Sequence, residues 1–206
     1  MGSLSLPPIE PSVNGAREAA VSLVLRGRDD LELLLIKRAE AEADPWSGHM
    51  ALPGGRREPD DPSLLHTAVR ETLEETGVVL GTDLGHLGRL SRLDPVSRRL
   101  PPLSVTPFVF GVAADTEALV ASYEIEAVFW VPLSTFRDPG TAGTYRYRSD
   151  TLTRIFPTFN VEGQMVWGLT YRFLEVFFQA IERPLPDRWG DMANTIAELR
   201  ESGGDG

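Results

Sequence analysis

The sequence predicts an α/β protein in which a mixed β-sheet lies between helices, an α/β/α sandwich. Two observations predict it. Apolar, strand-like runs stand both before and after an amphipathic helical segment at about residues 62–76, and a second helical pattern follows near the end of the chain. With 206 residues, 42% of them hydrophobic, the chain can bury the core of one ordinary domain. We expect this domain at residues 15–186, between a flexible segment at 1–14 and a tail at 187–206 that contains a short helix.

The first two predicted strands, Ala19–Arg26 and Leu31–Lys37, lie on either side of a polar turn. The second contains the unbroken apolar run Leu33–Ile36, which is typical of a strand that is buried on both faces. Three more strands are predicted at His86–Leu93, Ser104–Ala113 and Ile125–Val131.

The last third of the chain begins with a predicted helical turn at Leu133–Phe136. Residues 145–148 and 153–159 have the composition of two edge strands joined by a hairpin. The region Gly168–Ile181 then carries apolar residues with a helical period, and this predicts a helix that faces the core.

An acidic helical segment follows the glycine turn Gly54-Gly55. On a helix, Glu71 lies three residues before Glu74 and four before Glu75, so the three carboxylates share one side. Crowded carboxylates repel each other unless they share a cation. Hard divalent ions prefer such oxygen ligands, often with phosphate oxygens completing the shell. The pattern therefore predicts a metal site that acts on a phosphorylated substrate.

Both ends of this helix carry capping signals. Asp60 or Asp61 fits an N-cap with Pro62 at the first helical position, and Gly77 fits a C-terminal stop with positive φ.

The alternative is a solvent-exposed helix in which Glu/Arg pairs only solubilise the protein and Thr67, Ala68 and Leu73 face the core. That alternative leaves the glycine turn and Gly77 unexplained, so we favour the metal site.

The segment resembles the Nudix box of the Nudix hydrolases. Gly55, an acid at Asp61 and the run Arg70–Val78 carry the resemblance, and the later half matches without a gap. Asp61 stands where the family usually has Glu, and its spacer to Arg70 is one residue longer than the commonest form. The resemblance implies the Nudix fold and a pyrophosphatase that cleaves a diphosphate bond in a substrate of the form nucleoside–P–P–X.

The resemblance also implies site residues. Glu71, Glu74, Glu75 and the carbonyl oxygen of Gly55 would bind Mg2+ or Mn2+, and Arg70 would orient a box acid. The general base would be a box Glu acting through water, or an acid before the strand at Ile125, where Glu124 and Glu126 stand; two solvated acids at a strand start are the alternative there.

Several arginines could grip phosphate, although each alone is more often a surface residue: Arg38, Arg56, Arg57, Arg98 and Arg99. Aromatic side chains that could stack on a base, or simply pack, are Trp46, His49 and Tyr145.

Four segments outside the box look like the coenzyme A pyrophosphatase branch of the family: Leu34–Arg38, Thr106–Val109, Phe129–Leu133 and Val166–Thr170. The loop Pro45–Leu52, which leads into the box, differs from that branch. Coenzyme A is the leading named substrate. The alternatives are ADP-ribose, dinucleotide polyphosphates, nucleoside triphosphates, or a non-catalytic module that senses a nucleotide.

Composition excludes other classes. The chain has no Cys and only three scattered His, which argues against a thiolate or zinc cluster. A net charge of −10 argues against binding a nucleic acid polymer but permits a small phosphorylated partner. Without a signal-peptide pattern or an apolar run of membrane-spanning length, we expect a cytoplasmic protein with no membrane partner. A homodimer, with Trp189 in the tail as one contact, is compatible with this size.

Overall fold

The computed structural model describes residues 16–27, 29–41, 47–83, 85–94, 102–149 and 152–185, and the chain divides into two compact units after Leu133. The elements of the first unit are β1 (Arg17–Arg26), β2 (Glu32–Arg38), β3 (Met50–Ala51), β4 (Gly54–Arg56), α1 (Leu64–Thr76), β5 (His86–Arg89), β6 (Leu103–Gly111) and β7 (Ile125–Pro132). A 3₁₀ turn at Leu133–Arg137 leads into the second unit, whose further elements are a 3₁₀ turn (Pro139–Thr141), β8 (Ala142–Ser149), β9 (Leu152–Val161), β10 (Gln164–Val166) and α2 (Gly168–Ala180).

The strands of the first unit form one seven-stranded mixed sheet. Its main order is β3-β2-β1-β6-β5, with β4 paired to β1 and β7 paired to β2. Only β1 and β6 run parallel among these pairs, and the chain between them includes α1, as a parallel crossover requires. The predicted fold class, α/β with a mixed central sheet, is confirmed.

The core of the first unit lies on β1, β2 and β6. Leu33, Leu34, Leu35 and Ile36 are fully buried, as the unbroken apolar run predicts for a strand with two covered faces. Helix α1 packs against the sheet through Ala68, within an apolar cluster that also includes Val24, Leu34 and Phe110.

A buried polar contact also joins α1 to β1. The hydroxyl oxygens of Ser22 and Thr72 lie 2.8 Å apart, and they lie 3.2 and 2.7 Å from the carbonyl oxygen of Ala68. Because buried hydroxyl groups are costly without partners, this contact favours one placement of α1 on the sheet.

The second unit is built on the antiparallel sheet β10-β9-β8. Phe159 on β9 stacks on Tyr171 of α2 with ring centroids 4.8 Å apart, and it meets Phe136 edge-on at 5.4 Å. These large buried rings form the core of the unit. The two predicted strands and the helix near residues 168–181 are confirmed. Of the two strands only β8 lies at an edge, because β9 pairs with β8 on one side and β10 on the other, so the edge prediction is wrong for β9.

The start of α1 differs from the prediction. The N-cap is Ser63, whose hydroxyl accepts a hydrogen bond from the backbone N–H of His66, so the prediction of Asp60 or Asp61 is wrong. The Asp61 carboxylate instead binds side chains of the helix, and Pro62 precedes the first helical residue by two positions. The C-terminal prediction is confirmed, because Gly77 ends the helix at φ 69°.

Two further differences concern burial and strand length. Leu73 is 46% exposed because the buried stripe of α1 runs through Thr72 and Thr76 and leaves Leu73 to one side. The strand expected at His86–Leu93 ends at Arg89, and beyond it Leu93 makes only an isolated bridge with Val105.

Several expectations fall on residues outside those described: the terminal segment 1–14, the tail 187–206 with its short helix, Trp46, Arg98, Arg99 and Trp189. Among the helices that are described, none has the length and apolar character that crossing a membrane requires.

Candidate active site

The glycine turn is held against β1 by backbone pairing. Ala20 pairs with Gly55, and Val21 pairs with Gly54. Gly54 has φ 151°, and a Cβ atom at this position would collide with the backbone of Ala20 and Val21. Only glycine fits such an approach. The N–H of Gly54 is left pointing at α1, where it donates a 2.8 Å hydrogen bond to Oε2 of Glu75.

Gly55 brings the turn equally close to the helix. A Cβ atom on Gly55 would overlap the carboxylate of Glu71, so the missing side chain leaves that carboxylate directly against the backbone of β4. The glycine turn therefore packs directly against the two acids, with Gly54 in contact with Glu75 and Gly55 in contact with Glu71.

The side chains of both acids have little solvent exposure. The side chain of Glu75 is 7% exposed, and burial raises its pKa to about 8, against the opposing hydrogen bond from Gly54. The charge of Glu71 raises this pKa further. The Glu71 side chain is 17% exposed, and burial raises its pKa too, although neighbouring Arg70 opposes the shift. The site therefore concentrates negative charge where water solvates it poorly.

This donor set fits a hard divalent cation. Carboxylate oxygens are the ligands that Mg2+ and Mn2+ prefer, and a cation would relieve the cost of two ionised acids in this environment. Within the described residues, however, no three Asp, Glu, His or Cys side chains are grouped closely enough to hold a metal ion. Glu74 is separate from the pair, because its carboxylate is 55% exposed and accepts a 3.0 Å hydrogen bond from Arg70.

Arg70 links the acids of the helix to Asp61. Its Nε and Nη2 donate to Oδ1 and Oδ2 of Asp61, each at 3.0 Å, in a bidentate pair. Nη2 also lies 3.1 Å from Oε1 of Glu71. The Arg70 guanidinium holds the pKa of the Asp61 carboxyl well below its usual range. Arg70 thus contacts Glu71 and Glu74, as predicted for an orienting residue, and its strongest partner is Asp61.

Asp61 has further partners that sequence reasoning missed. Its Oδ2 accepts hydrogen bonds of 2.9 Å from the backbone N–H of Glu58 and from the hydroxyl of Thr67. The carboxylate is 93% buried from solvent by these contacts and by Arg70. The sequence contains one signal for this role, since Asp61 occupies the acidic position of the family's box. Because Asp is also a common N-cap residue, the residue type alone does not tell the two roles apart.

Arg38 brings Glu124 to the buried acids. Its guanidinium lies 3.8 Å from Oε1 of Glu75 and 3.7 Å from Oε2 of Glu124. The backbone supports this approach, because the N–H of Ala39 donates to the carbonyl oxygen of Glu124 at 2.8 Å. Glu126 is directed elsewhere and pairs with Lys37 at 2.7 Å. Of these two acids, Glu124 precedes β7 and lies beside Arg38, whereas Glu126 is the second residue of β7 and lies beside Lys37.

The remaining candidates are distributed differently. Arg57 pairs with Glu18 at 3.0 Å and donates to the carbonyl oxygen of Asp61, whereas the side chain of Arg56 is exposed. His49 is half-buried, and its backbone carbonyl oxygen accepts from the N–H of Arg38. Tyr145 belongs to the second unit.

Comparison with known proteins identifies the family. Residues 16–151, more than half of the chain, match the model of the NUDIX domain. An uncharacterized Nudix hydrolase of Pectobacterium atrosepticum, NudL, is 32% identical over 187 residues, which cover 88% of this chain and 92% of that protein. Schizosaccharomyces pombe protein C14C4.10c is 39% identical over 105 residues, which cover 50% of this chain but 32% of that protein.

The chain thus spans about a third of that yeast relative. Among solved structures, a MutT/nudix family protein from Enterococcus faecalis has the same fold, with a TM-score of 0.58 at 18% identity. The matched region covers 85% of this chain and 66% of that one. The domain match and the bacterial relative together show that the chain belongs to the Nudix hydrolase family.

Proposed function

We propose that this protein is a metal-dependent pyrophosphohydrolase that cleaves a diphosphate bond in a nucleoside diphosphate derivative. The observation that carries the proposal is the pair of acids at the glycine turn, in which Glu75 is buried and Glu71 is half-buried. A purely structural helix gains nothing from withdrawing two neighbouring carboxylates from solvent, because burial raises the pKa of each and the charge of Glu71 raises the pKa of Glu75 further. A divalent ion at this position offsets both effects.

Glu71, Glu75 and the Gly55 carbonyl oxygen would hold Mg2+ or Mn2+, with Glu74 as a further ligand. The ion would supply charge neutralisation at the diphosphate oxygens and a lower pKa for an attacking water. The chain's own contribution is positional. Gly54 fixes one oxygen of Glu75 by its N–H, which leaves the other oxygen of that carboxylate for a cation. Arg70 is a positioning residue, since its guanidinium group contacts both Glu71 and the buried Asp61.

Glu124 is our proposed general base. Its side chain is 52% exposed, so it can exchange protons with solvent, yet Arg38 ties it to Glu75 at the border of the buried acids. A base must lie close to the water it deprotonates. Glu124 lies beside Arg38 near Glu75, whereas Glu126 pairs with Lys37, and this difference supports the choice of Glu124. Arg38, which lies beside both Glu75 and Glu124, is the arginine that we propose for contact with a substrate phosphate.

Coenzyme A is the named substrate that we propose first. The support is the similarity of four segments, among them Leu34–Arg38 and Phe129–Leu133, to the coenzyme A pyrophosphatase branch. In the structure these two segments are adjacent, because β2 pairs with β7 from Glu32 to Arg38.

The test is a substrate panel: purified protein with Mg2+ or Mn2+ and coenzyme A, ADP-ribose, NADH, a dinucleotide polyphosphate or a nucleoside triphosphate, with products separated by chromatography. We expect 3′,5′-ADP and a phosphopantetheine from coenzyme A. Cleavage of another compound instead would contradict the coenzyme A assignment and retain the hydrolase. Metal-dependent binding without cleavage of any compound would overturn the hydrolase proposal in favour of a sensing module.

A further inference from the structure

Ser22 on β1 is a fully buried polar residue that contacts both the turn and the helix of the candidate site. Its backbone N–H donates a 2.8 Å hydrogen bond to the carbonyl oxygen of Pro53, the residue directly before the glycine turn. Its hydroxyl oxygen lies 2.8 Å from that of Thr72 and 3.2 Å from the carbonyl oxygen of Ala68, both on α1. One residue of the sheet therefore holds the turn through its backbone and the helix through its side chain.

Thr72 lies next to the acids on the surface of α1. Residues four apart form a stripe along a helix, so Thr72 shares a buried stripe with Ala68 and Thr76. Glu71 and Glu75 form the neighbouring stripe, which meets the glycine turn. A slip of α1 by the rise of one residue, about 1.5 Å, would break the hydrogen bond that the turn donates to Glu75. The acids therefore keep their places only if α1 keeps its register on the sheet.

The apolar contacts of α1 fix this register less closely than the hydroxyl contact does. Ala68 packs in a cluster with Val24 and Phe110, but hydrophobic contact is non-directional and depends mainly on the buried area. A hydrogen bond is directional and weakens steeply when its geometry changes. The contact with Ser22 is also not required to satisfy Thr72, whose hydroxyl oxygen lies 2.7 Å from the carbonyl oxygen of Ala68 within the helix. What Ser22 adds is the link from helix to sheet.

We propose that Ser22 and Thr72 are a positioning pair, whose contact holds the acid-bearing stripe of α1 at hydrogen-bonding distance from the glycine turn. Its first consequence, the hydrogen bond from Gly54 to Glu75, does not depend on what the site binds. Its second consequence, a high affinity for a divalent cation at Glu71 and Glu75, rests on the proposed function.

Amide hydrogen exchange of Gly54, followed by NMR in EDTA, tests the first consequence without any metal. Ser22→Ala and Thr72→Val each remove one hydroxyl group of the pair. Each should speed the exchange of Gly54 about fivefold, the effect expected from the loss of one hydrogen bond. Thr72→Ser keeps the hydroxyl group and should exchange Gly54 as the wild type does.

The control for general loss of stability is Val131→Ala, which opens a small cavity in the core on β7, a strand that pairs with β2. It should speed the exchange of the slowest sheet amides, which report global unfolding, and leave the rate of Gly54 unchanged. Circular dichroism shows whether each variant is folded, and Thr72→Val keeps the shape of the side chain, so the test does not depend on Ser22→Ala alone. Equal acceleration of Gly54 in Val131→Ala, or no acceleration in either hydroxyl variant, would overturn the proposal.

Titration with Mn2+ by calorimetry tests the second consequence. Ser22→Ala and Thr72→Val should raise the Kd of Mn2+ about tenfold, the lower end of the effect of residues that orient metal ligands. Val131→Ala and Thr72→Ser should keep the wild-type Kd. The double variant Ser22→Ala/Thr72→Val should bind Mn2+ no more weakly than either single variant, because both substitutions remove the same contact.

The two experiments separate failure of the pair from failure of the metal site. Faster exchange of Gly54 with an unchanged Kd in both hydroxyl variants would overturn the consequence for the metal and retain the pair. If the wild type does not bind Mn2+, the metal site of the proposed function is wrong, and the exchange of Gly54 still decides whether Ser22 and Thr72 position the helix.

Discussion

At Glu75 the chain buries a carboxylate between the glycine turn and Arg38. Its Oε2 is held by the N–H of Gly54, and Oε1 faces Arg38 at 3.8 Å. Burial raises the pKa of this acid to about 8. A buried acid with a strongly raised pKa is typical of a functional residue.

Substitution of Glu75 by Gln tests this residue directly. The amide keeps an oxygen for the Gly54 N–H, so we expect a folded protein. Turnover with Mg2+ or Mn2+ should fall roughly a hundredfold or more, because the site loses a negative charge next to the cation. The control for the measured rate is Glu126→Gln, which removes the acid that pairs with Lys37. Full activity of Glu75→Gln at saturating metal would exclude Glu75 as a ligand.

Asp61 is a second residue whose role can be measured, here through stability. Asp61→Asn breaks the bidentate pair with Arg70 and should lower the free energy of unfolding at pH 7 by about 2 kcal/mol. The pKa of Asp61 is held below its usual 3.8 in the folded state, so its contribution is complete above pH 3.8 and decreases as the pH falls below that value. Urea unfolding at pH 7 and near pH 3 should therefore show a smaller difference between wild type and variant at the lower pH.

The control for this experiment is a more exposed ion pair with a single contact at the same N–O distance of 3.0 Å. Glu18→Gln removes the partner of Arg57, and both side chains are at least a third exposed. Its effect should stay below about 0.5 kcal/mol at either pH. An Asp61→Asn variant as stable as Glu18→Gln would show that the pair with Arg70 contributes nothing beyond a surface contact.

At the scale of the element, helix α1 shows which predictions a sequence supports. The end of the helix at Gly77 can be predicted from the sequence, because a backbone position in the left-handed region strongly favours glycine in any tertiary context. The start is not, because Asp61, Pro62 and Ser63 all carry capping signals. Only the partner across space, Arg70, decides that Asp61 turns inward and that Ser63 takes the cap.

The C-terminal cap gives the prediction at this scale. Gly77 has φ 69°, and its N–H donates to the carbonyl oxygen of Leu73 at 2.9 Å. Gly77→Val forces a β-branched residue into the left-handed region and should cost about 2 kcal/mol of stability in urea unfolding. Gly77→Asn should cost less than half as much, because Asn tolerates this conformation. A Cβ atom at Gly77 would come no closer than 4.0 Å to Leu119, so a clash is not the cause. Equal effects of Val and Asn would therefore contradict the backbone argument.

At the scale of the whole molecule, the sheet decides which predicted residues meet. Acids on one helix could be placed together from helical spacing alone, and Glu71 and Glu75 are indeed adjacent to the glycine turn. The approach of Arg38 to Glu124 depends instead on the pairing of β2 with β7, two strands far apart in sequence, and no local pattern specifies that pairing.

Metal binding should stabilise the whole molecule, because a cation that binds only the folded state shifts the unfolding equilibrium by mass action. At a Mn2+ concentration about a hundred times the dissociation constant, the gain is roughly 2.7 kcal/mol, or about 5–10 °C in Tm for a chain of this length. Since a net charge of −10 is also screened by any added salt, the comparison must be made at constant ionic strength with NaCl. The rise in Tm should vanish in Glu75→Gln and persist in Glu126→Gln. An equal rise in all three proteins would mean that Mn2+ acts on the general charge of the surface and not at the buried acids.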